Sequence, residues 1–141
     1  MWSHYAENHQ GICLEFRTDN NSLFILAQEV IYRSEYPRWV PQNLFEIARE
    51  MILTKAEDWS YEREFRLIAR PEVDETNLLK LYGEYLRIPP QALASVIVGC
   101  QGDFEAVCRI VNERMPGLPV KRVVRTPNHY SLTIEDEAKS A

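Results

Sequence analysis

Apolar and polar residues alternate with a period of two from Ile12 to Thr18. Ile12, Leu14 and Phe16 fall on one side and Cys13, Glu15 and Arg17 on the other, which predicts a half-buried strand. Upstream, Trp2, Tyr5, Ala6 and His9 recur at helical spacing and predict one or two helical turns ended by Gly11. Ser22 follows a polar turn and is placed to cap a short helix through Gln28, after which Glu29 to Ser34 reads as a strand closed by Pro37. The clearest helical period runs from about Asn43 to Ala56. Asn43 and Glu46 have capping-box spacing, and Leu44, Ile47, Ala48, Met51 and Ile52 form a stripe expected to pack on a sheet.

Trp59 to Arg70 reads as a strand with Tyr61, Arg63, Phe65 and Leu67 on one face and Glu62, Glu64 and Arg66 on the other. A polar loop over Pro71 to Asn77 leads to a strand from Leu78 to Ile88, bent at Gly83. Ser95 to Gly99 is short, β-branched and apolar, as a central strand covered on both sides requires. Asp103 then caps a helix with Phe104, Val107, Cys108, Val111 and Met115 as its stripe, stopped by Pro116 and Gly117. Strands follow over Val120 to Arg125 and Tyr130 to Glu135, and the stretch from Ser95 to Arg125 forms a strand, helix, strand crossover. The pattern predicts an α+β fold: a mixed, largely antiparallel sheet of about six or seven strands packed with about two main helices. It also predicts one domain over residues 1–135 and a frayed tail over 136–141.

Composition narrows the function classes. A chain of 141 residues with 45% hydrophobic content can bury a core, so disorder is excluded as its main state. The formal charge of -5 argues against duplex DNA or an anionic membrane as partner, because both are bound by neutralising phosphates with clustered Lys and Arg. No apolar run reaches the ~18 to 20 residues of a membrane span, and the N-terminal residues lack a signal-peptide pattern. The three cysteines, Cys13, Cys100 and Cys108, form no C-x-x-C pair, so neither a disulfide framework nor a zinc site is predicted and a cytoplasmic location is expected.

Three clusters are candidates for chemistry. Glu62 and Glu64 project together from a strand, one to bind a hydroxyl and the other to stabilise developing positive charge, with Arg66 for an anion and Trp59 and Tyr61 beside them. Trp2, His4 and Tyr5 could stack a ring and supply hydrogen bonds, whereas His4 and His9 do not share a helix face and make a poor metal pair. Gly99 to Asp103 joins a strand to a helix, but an aspartate at the cap repels phosphate and no nucleotide fingerprint is matched. Each cluster also has a plain structural reading: exposed cross-strand ion pairs, core aromatics and an ordinary connection. No cofactor is demanded by these residues.

The block Met1-Trp2-Ser3-His4-Tyr5-Ala6, with Asn8-His9, Gly11-Ile12-Cys13-Leu14 and Phe16, is similar to a signature of the bacterial family called domain of unknown function 2971. Leu53-Thr54-Lys55, Asp58-Trp59 and Tyr61-Glu62-Arg63-Glu64-Phe65-Arg66 resemble its second signature. The resemblance extends to about Gly99 and implies a stand-alone bacterial protein, with some relatives tied to mobile or defence loci. Members carry an additional N-terminal segment, so the resemblance implies that these residues are the C-terminal majority of a longer domain, with an open sheet edge through which copies associate. The order of its parts is also that of ADP-ribosyltransferases. On that analogy the ligand is a nucleotide, with NAD as cofactor or substrate. Glu62 or Glu64 binds the nicotinamide-ribose, Trp2 and Tyr5 pack the nicotinamide, and Arg66 or His4 contacts phosphate or ribose. The alternative is a non-catalytic binding or regulatory domain. A nuclease ranks third because of the acidic balance.

Overall fold

The computed structural model describes residues 1–19, 22–36, 43–69, 80–83 and 85–136. In chain order the elements are α1 (Trp2–Tyr5), β1 (Ile12–Phe16), a 3₁₀ turn (Leu23–Leu26), β2 (Gln28–Glu29), β3 (Ile31–Arg33) and α2 (Leu44–Leu53). They continue with β4 (Thr54–Ala56), a longer 3₁₀ segment (Glu57–Glu62), β5 (Phe65–Arg66), β6 (Lys80–Tyr82) and β7 (Tyr85–Arg87). A 3₁₀ turn (Pro90–Ala92), β8 (Leu93–Val98), α3 (Phe104–Arg114), β9 (Val120–Arg125) and β10 (Leu132–Asp136) complete the order. The class is α+β with mostly antiparallel pairing, distributed over a four-stranded sheet and three two-stranded pairs. Two compact units hold these elements, residues 1–17 with 89–141, and residues 18–88. No helix among the described residues is long and apolar enough to cross a membrane.

The first unit is built on the sheet β1-β8-β9-β10, in which β8 and β9 are parallel and the outer pairs antiparallel. The predicted crossover is present, with α3 joining β8 to β9. Asp103 caps α3 by accepting from the Ala106 amide at 3.0 Å. Val107 and Val111 of α3 pack with Val96, Val98 and Val120, and Val98 has no exposed surface. Ser95, Val96, Ile97 and Val98 are all buried, as a central strand requires. In contrast, Ile12 and Leu14 are about half exposed (49% and 45%), because β1 lies at the edge of the sheet. The final strand extends to Asp136, and the predicted tail beyond it lies outside the described residues.

The N-terminal aromatic block is helical only through Tyr5. Glu7, Asn8 and His9 then take left-handed conformations (φ 49°, 54° and 70°), so the expected helix through His9 is replaced by a turn. That turn meets the β8 to α3 connection. Gly99 donates its amide to the Gly11 carbonyl and Gln101 to the His9 carbonyl, both at 3.0 Å. The approach is so close that a Cβ on Gly99 would collide with the His9 carbonyl, and one on Gly102 would lie 2.7 Å from the Gln10 oxygen.

In the second unit, Ser22 caps the first 3₁₀ turn and Asn43 caps α2, accepting from the Phe45 amide at 2.9 Å. The pair β3 and β4 is parallel with α2 between its strands in sequence, and β2 pairs antiparallel with β5. The apolar stripe of α2 is not packed on a broad sheet as expected: Leu44 is 85% exposed, Met51 and Ile52 are exposed, and only Leu53 is buried. A pair two strands wide offers too little surface to cover a three-turn helix. The predicted strand from Leu78 to Ile88 is a hairpin, β6 and β7, with Gly83 at φ +62° in its turn. The loop expected over Pro71 to Asn77 and the strand end at Pro37 lie outside the described residues.

The Gly99 contact yields a direct expectation. Gly99→Ala should lower stability by about 1–3 kcal/mol, the range for forcing atoms into a packed site, whereas Gly83→Ala meets only its own backbone strain. Denaturant unfolding checks this, and an unchanged midpoint for Gly99→Ala would remove the proposed close approach.

Candidate functional site

The segment after α2 folds differently from its alternating pattern. Thr54 to Ala56 pairs with β3, and Glu57 and Asp58, favourable in a first helical turn, open the 3₁₀ segment that runs to Glu62. Arg63 then takes a left-handed conformation (φ 48°), and only Phe65 and Arg66 form a strand. The predicted strand from Trp59 to Arg70 is corrected accordingly, whereas Glu62, Glu64 and Arg66 still share one side. Tyr61, Arg63 and Phe65 are exposed, while Glu62, Glu64 and Arg66 are half-buried. Glu62 and Glu64 therefore converge because a left-handed residue separates them, not because a strand alternates.

Their meeting point is Lys55. Its ammonium donates to Glu62 Oε2 and, at 3.2 Å, to Glu64 Oε2. The Glu62 side chain is 4% exposed, so this pairing removes it from water with its charge compensated. Arg66 grips Glu64 from the other side in a two-pronged contact, Nε to Oε1 at 2.7 Å and Nη2 to Oε2 at 3.0 Å. Arg66 Nη1 also donates to the Ile52 carbonyl at the end of α2, where the helix dipole favours a cation. The backbone of Glu64 is fixed as well: its amide donates to Tyr32 Oη at 2.8 Å, and its carbonyl accepts from Val30 at 3.0 Å. Trp59 lies 5.0 Å below the Lys55 ammonium, and its ring centre is 6.0 Å from that of Tyr61.

The electrostatics follow from these contacts. Hydrogen bonds from Arg66 and then Lys55 hold the Glu64 carboxyl below its usual range against desolvation. Lys55 is raised, chiefly by its bond to Glu62, and Arg66 is raised by Glu64. The two carboxylates and two cations compensate one another, and Lys55 also lines a groove of about 410 Å³ together with Arg33, Ser34, Glu35, Tyr36, Met51 and Thr54. The groove runs past the carboxyl end of β3 and along β4, the kind of position at which parallel strands with a connecting helix take ligands. The Thr54 hydroxyl is buried without a hydrogen-bond partner among the described residues.

Of the residues singled out in the sequence, Trp59, Glu62, Glu64 and Arg66 are brought together in the unit 18–88. Trp2, His4 and Tyr5 stand on α1 in the other unit, with Tyr5 64% exposed. In the Gly99 to Asp103 connection, the amides of Gly99, Gln101 and Gly102 all donate to backbone carbonyls, so none of these three is directed at a phosphate. Among the described residues, no group of three or more His, Cys, Asp or Glu is placed to hold a metal ion. Sequence reasoning missed Lys55 and Tyr32. A lysine seven residues before its carboxylate, across an irregular turn, carries no periodic signal, although it sits in the Leu53-Thr54-Lys55 block.

The sign of the pH dependence is fixed by these shifts. Glu64 is lowered on folding, so its contribution is present above the unfolded carboxylate value of about 4.3 and is lost as pH falls through the folded value. Lys55 is raised, so its contribution is present below about 10.4 and is lost as pH rises through the folded value. Glu64→Gln should cost about 1–2 kcal/mol near neutrality, a deficit that shrinks below about pH 4. Thermal melts of both proteins across pH provide the check, and a deficit independent of pH would contradict the ion network.

No curated protein and no solved structure matches the chain. The family match includes both signature blocks but stops before Gly99, the point to which the sequence resemblance was expected to extend. Residues 1–67 match the family described as Protein of unknown function (DUF2971) and are consistent with a domain of that family.

Proposed function

We propose that this chain is a nucleotide-binding domain whose ligand occupies the Lys55 groove, with Glu62 and Glu64 as the residues that hold Lys55 in place. The observation that carries the reading is the sharing of one groove-lining ammonium by two carboxylates, which fixes a donor at the groove wall. Lys55 has three N–H donors, and Glu62 and Glu64 use two. Arg33, with a 3.8 Å pairing to Glu50, supplies a second cation, and Tyr36 a ring for stacking. A volume of about 410 Å³ lies within the range of small-ligand sites, about 300–1,000 Å³. The charge of -5 favours a small molecule over duplex DNA or an anionic membrane, and three free cysteines favour a reducing, cytoplasmic setting.

A second reading makes the domain an NAD-acting transferase, with Glu62 or Glu64 stabilising positive charge on the ribose as the bond to nicotinamide breaks. It is favoured by one feature: Glu64 is kept ionised, as such a role requires. Both Glu64 oxygens already accept from Arg66 or Lys55, however, which favours binding over catalysis by this carboxylate.

Calorimetric titration with NAD, ADP-ribose and ATP tests the proposal. At least one should bind saturably, and Lys55→Gln should weaken it by about tenfold or more, the loss of one charge-assisted contact. Release of nicotinamide from NAD would establish the second reading, and failure of all three to bind would overturn both.

A further inference from the structure

The hairpin of β6 and β7, in the unit 18–88, has two unlike faces. Its register pairs Leu81 with Leu86, and both are half-buried, so their side is the partly covered one. The other side carries Tyr82 opposite Tyr85, and two residues further from the turn the register sets Lys80 opposite Arg87. Tyr82 and Tyr85 are 81% and 78% exposed. Gly83, left-handed in the turn, reverses the chain directly after Tyr82, so the two tyrosines stand at the hairpin's end.

Like charges directly opposite one another destabilise a strand pair, and none of the ion pairs among the described residues involves Arg87. An anion over this end of the face relieves that repulsion, while a flat ring laid on the tyrosines covers apolar surface now in water. The aromatic and basic pairs are about 7 Å apart along the strands, two residues of rise. A single nucleic-acid strand offers both complements side by side, because each base has a free π-face and a phosphate follows it. A duplex keeps its bases stacked away from such rings, and the chain's charge of -5 opposes long-range attraction to a duplex or an anionic membrane. A second copy laid face to face on the hairpin would set cation against cation.

We propose that the β6–β7 hairpin binds single-stranded nucleic acid, with bases stacked on Tyr82 and Tyr85 and the adjoining phosphates at the Lys80 and Arg87 end of the same face. RNA and single-stranded DNA share this chemistry. The site is separate from the Lys55 groove, which Tyr82, Tyr85 and Arg87 do not line.

Fluorescence anisotropy of the full chain with end-labelled ten-nucleotide oligothymidylate and oligouridylate tests this, with an unlabelled duplex of the same length and decaglutamate as competitors. Either single strand should bind saturably, the tighter of the two identifying the polymer the site fits, and the duplex and the peptide should compete about tenfold more weakly or less. Tyr82→Ala and Tyr85→Ala should each weaken binding by about fivefold or more, the loss of one stacked base, whereas Tyr82→Phe keeps the ring and should bind as the native chain does. Arg87→Gln should lower the slope of log affinity against log salt by about 0.7 between about 50 and 200 mM, the loss of one single-strand phosphate contact. Arg125→Gln removes an exposed cation from the other unit and should leave both quantities unaltered. No saturable binding of either strand, equal competition by duplex or decaglutamate, or full affinity in the double variant Tyr82→Ala, Tyr85→Ala would each overturn the proposal.

Discussion

The Lys55 ammonium joins several parts of the second unit. It binds Glu62 at the end of the 3₁₀ segment and Glu64 beyond the left-handed Arg63. Arg66 carries the same network from Glu64 to the last turn of α2, and Tyr32 carries it to β3. Taking Glu62 out of water would be strongly unfavourable without a partner, and two carboxylates this close would repel each other without a shared cation. In a unit whose principal helix leaves Leu44 and Met51 exposed, this compensated charge does work that a larger apolar core performs elsewhere.

The first unit rests on a different constraint, close backbone approach. Its sheet is ordinary in its packing, with valines of β8, β9 and α3 closing one face. The left-handed turn at Glu7 to His9 brings backbone carbonyls against Gly99 and Gly102, where only glycines fit. The Gly-Cys-Gln-Gly stretch that resembles a phosphate loop by position is thus explained by chain packing, and its amides serve the neighbouring turn.

These two constraints account for what could and could not be read from the sequence. The β8, α3, β9 crossover was legible because its apolar run, Asp103 cap and helical stripe all agree with one structure. Glu62, Glu64 and Arg66 were rightly grouped, but on a strand that the structure shortens to Phe65 and Arg66. Alternation in six residues cannot distinguish a strand from a 3₁₀ turn broken by one left-handed residue. Lys55 was invisible because its partners are set by tertiary turns, and the same holds for Glu15 with Ser95 and Lys121, which are 80 and 106 residues apart in sequence from Glu15.

The central claim is that Glu62 and Glu64 anchor the Lys55 ammonium. The chain has four lysines, Lys55, Lys80, Lys121 and Lys139, so their side-chain nitrogens can be resolved individually by NMR. Direct observation of the Lys55 Nζ signal is the most direct measurement. The account predicts proton exchange markedly slower than that of a free lysine, accelerated in Glu62→Gln and restored to the free rate when Glu64→Gln is added. A Lys55 ammonium that exchanges like a free lysine in the native protein, or is unaffected by Glu62→Gln, would contradict it.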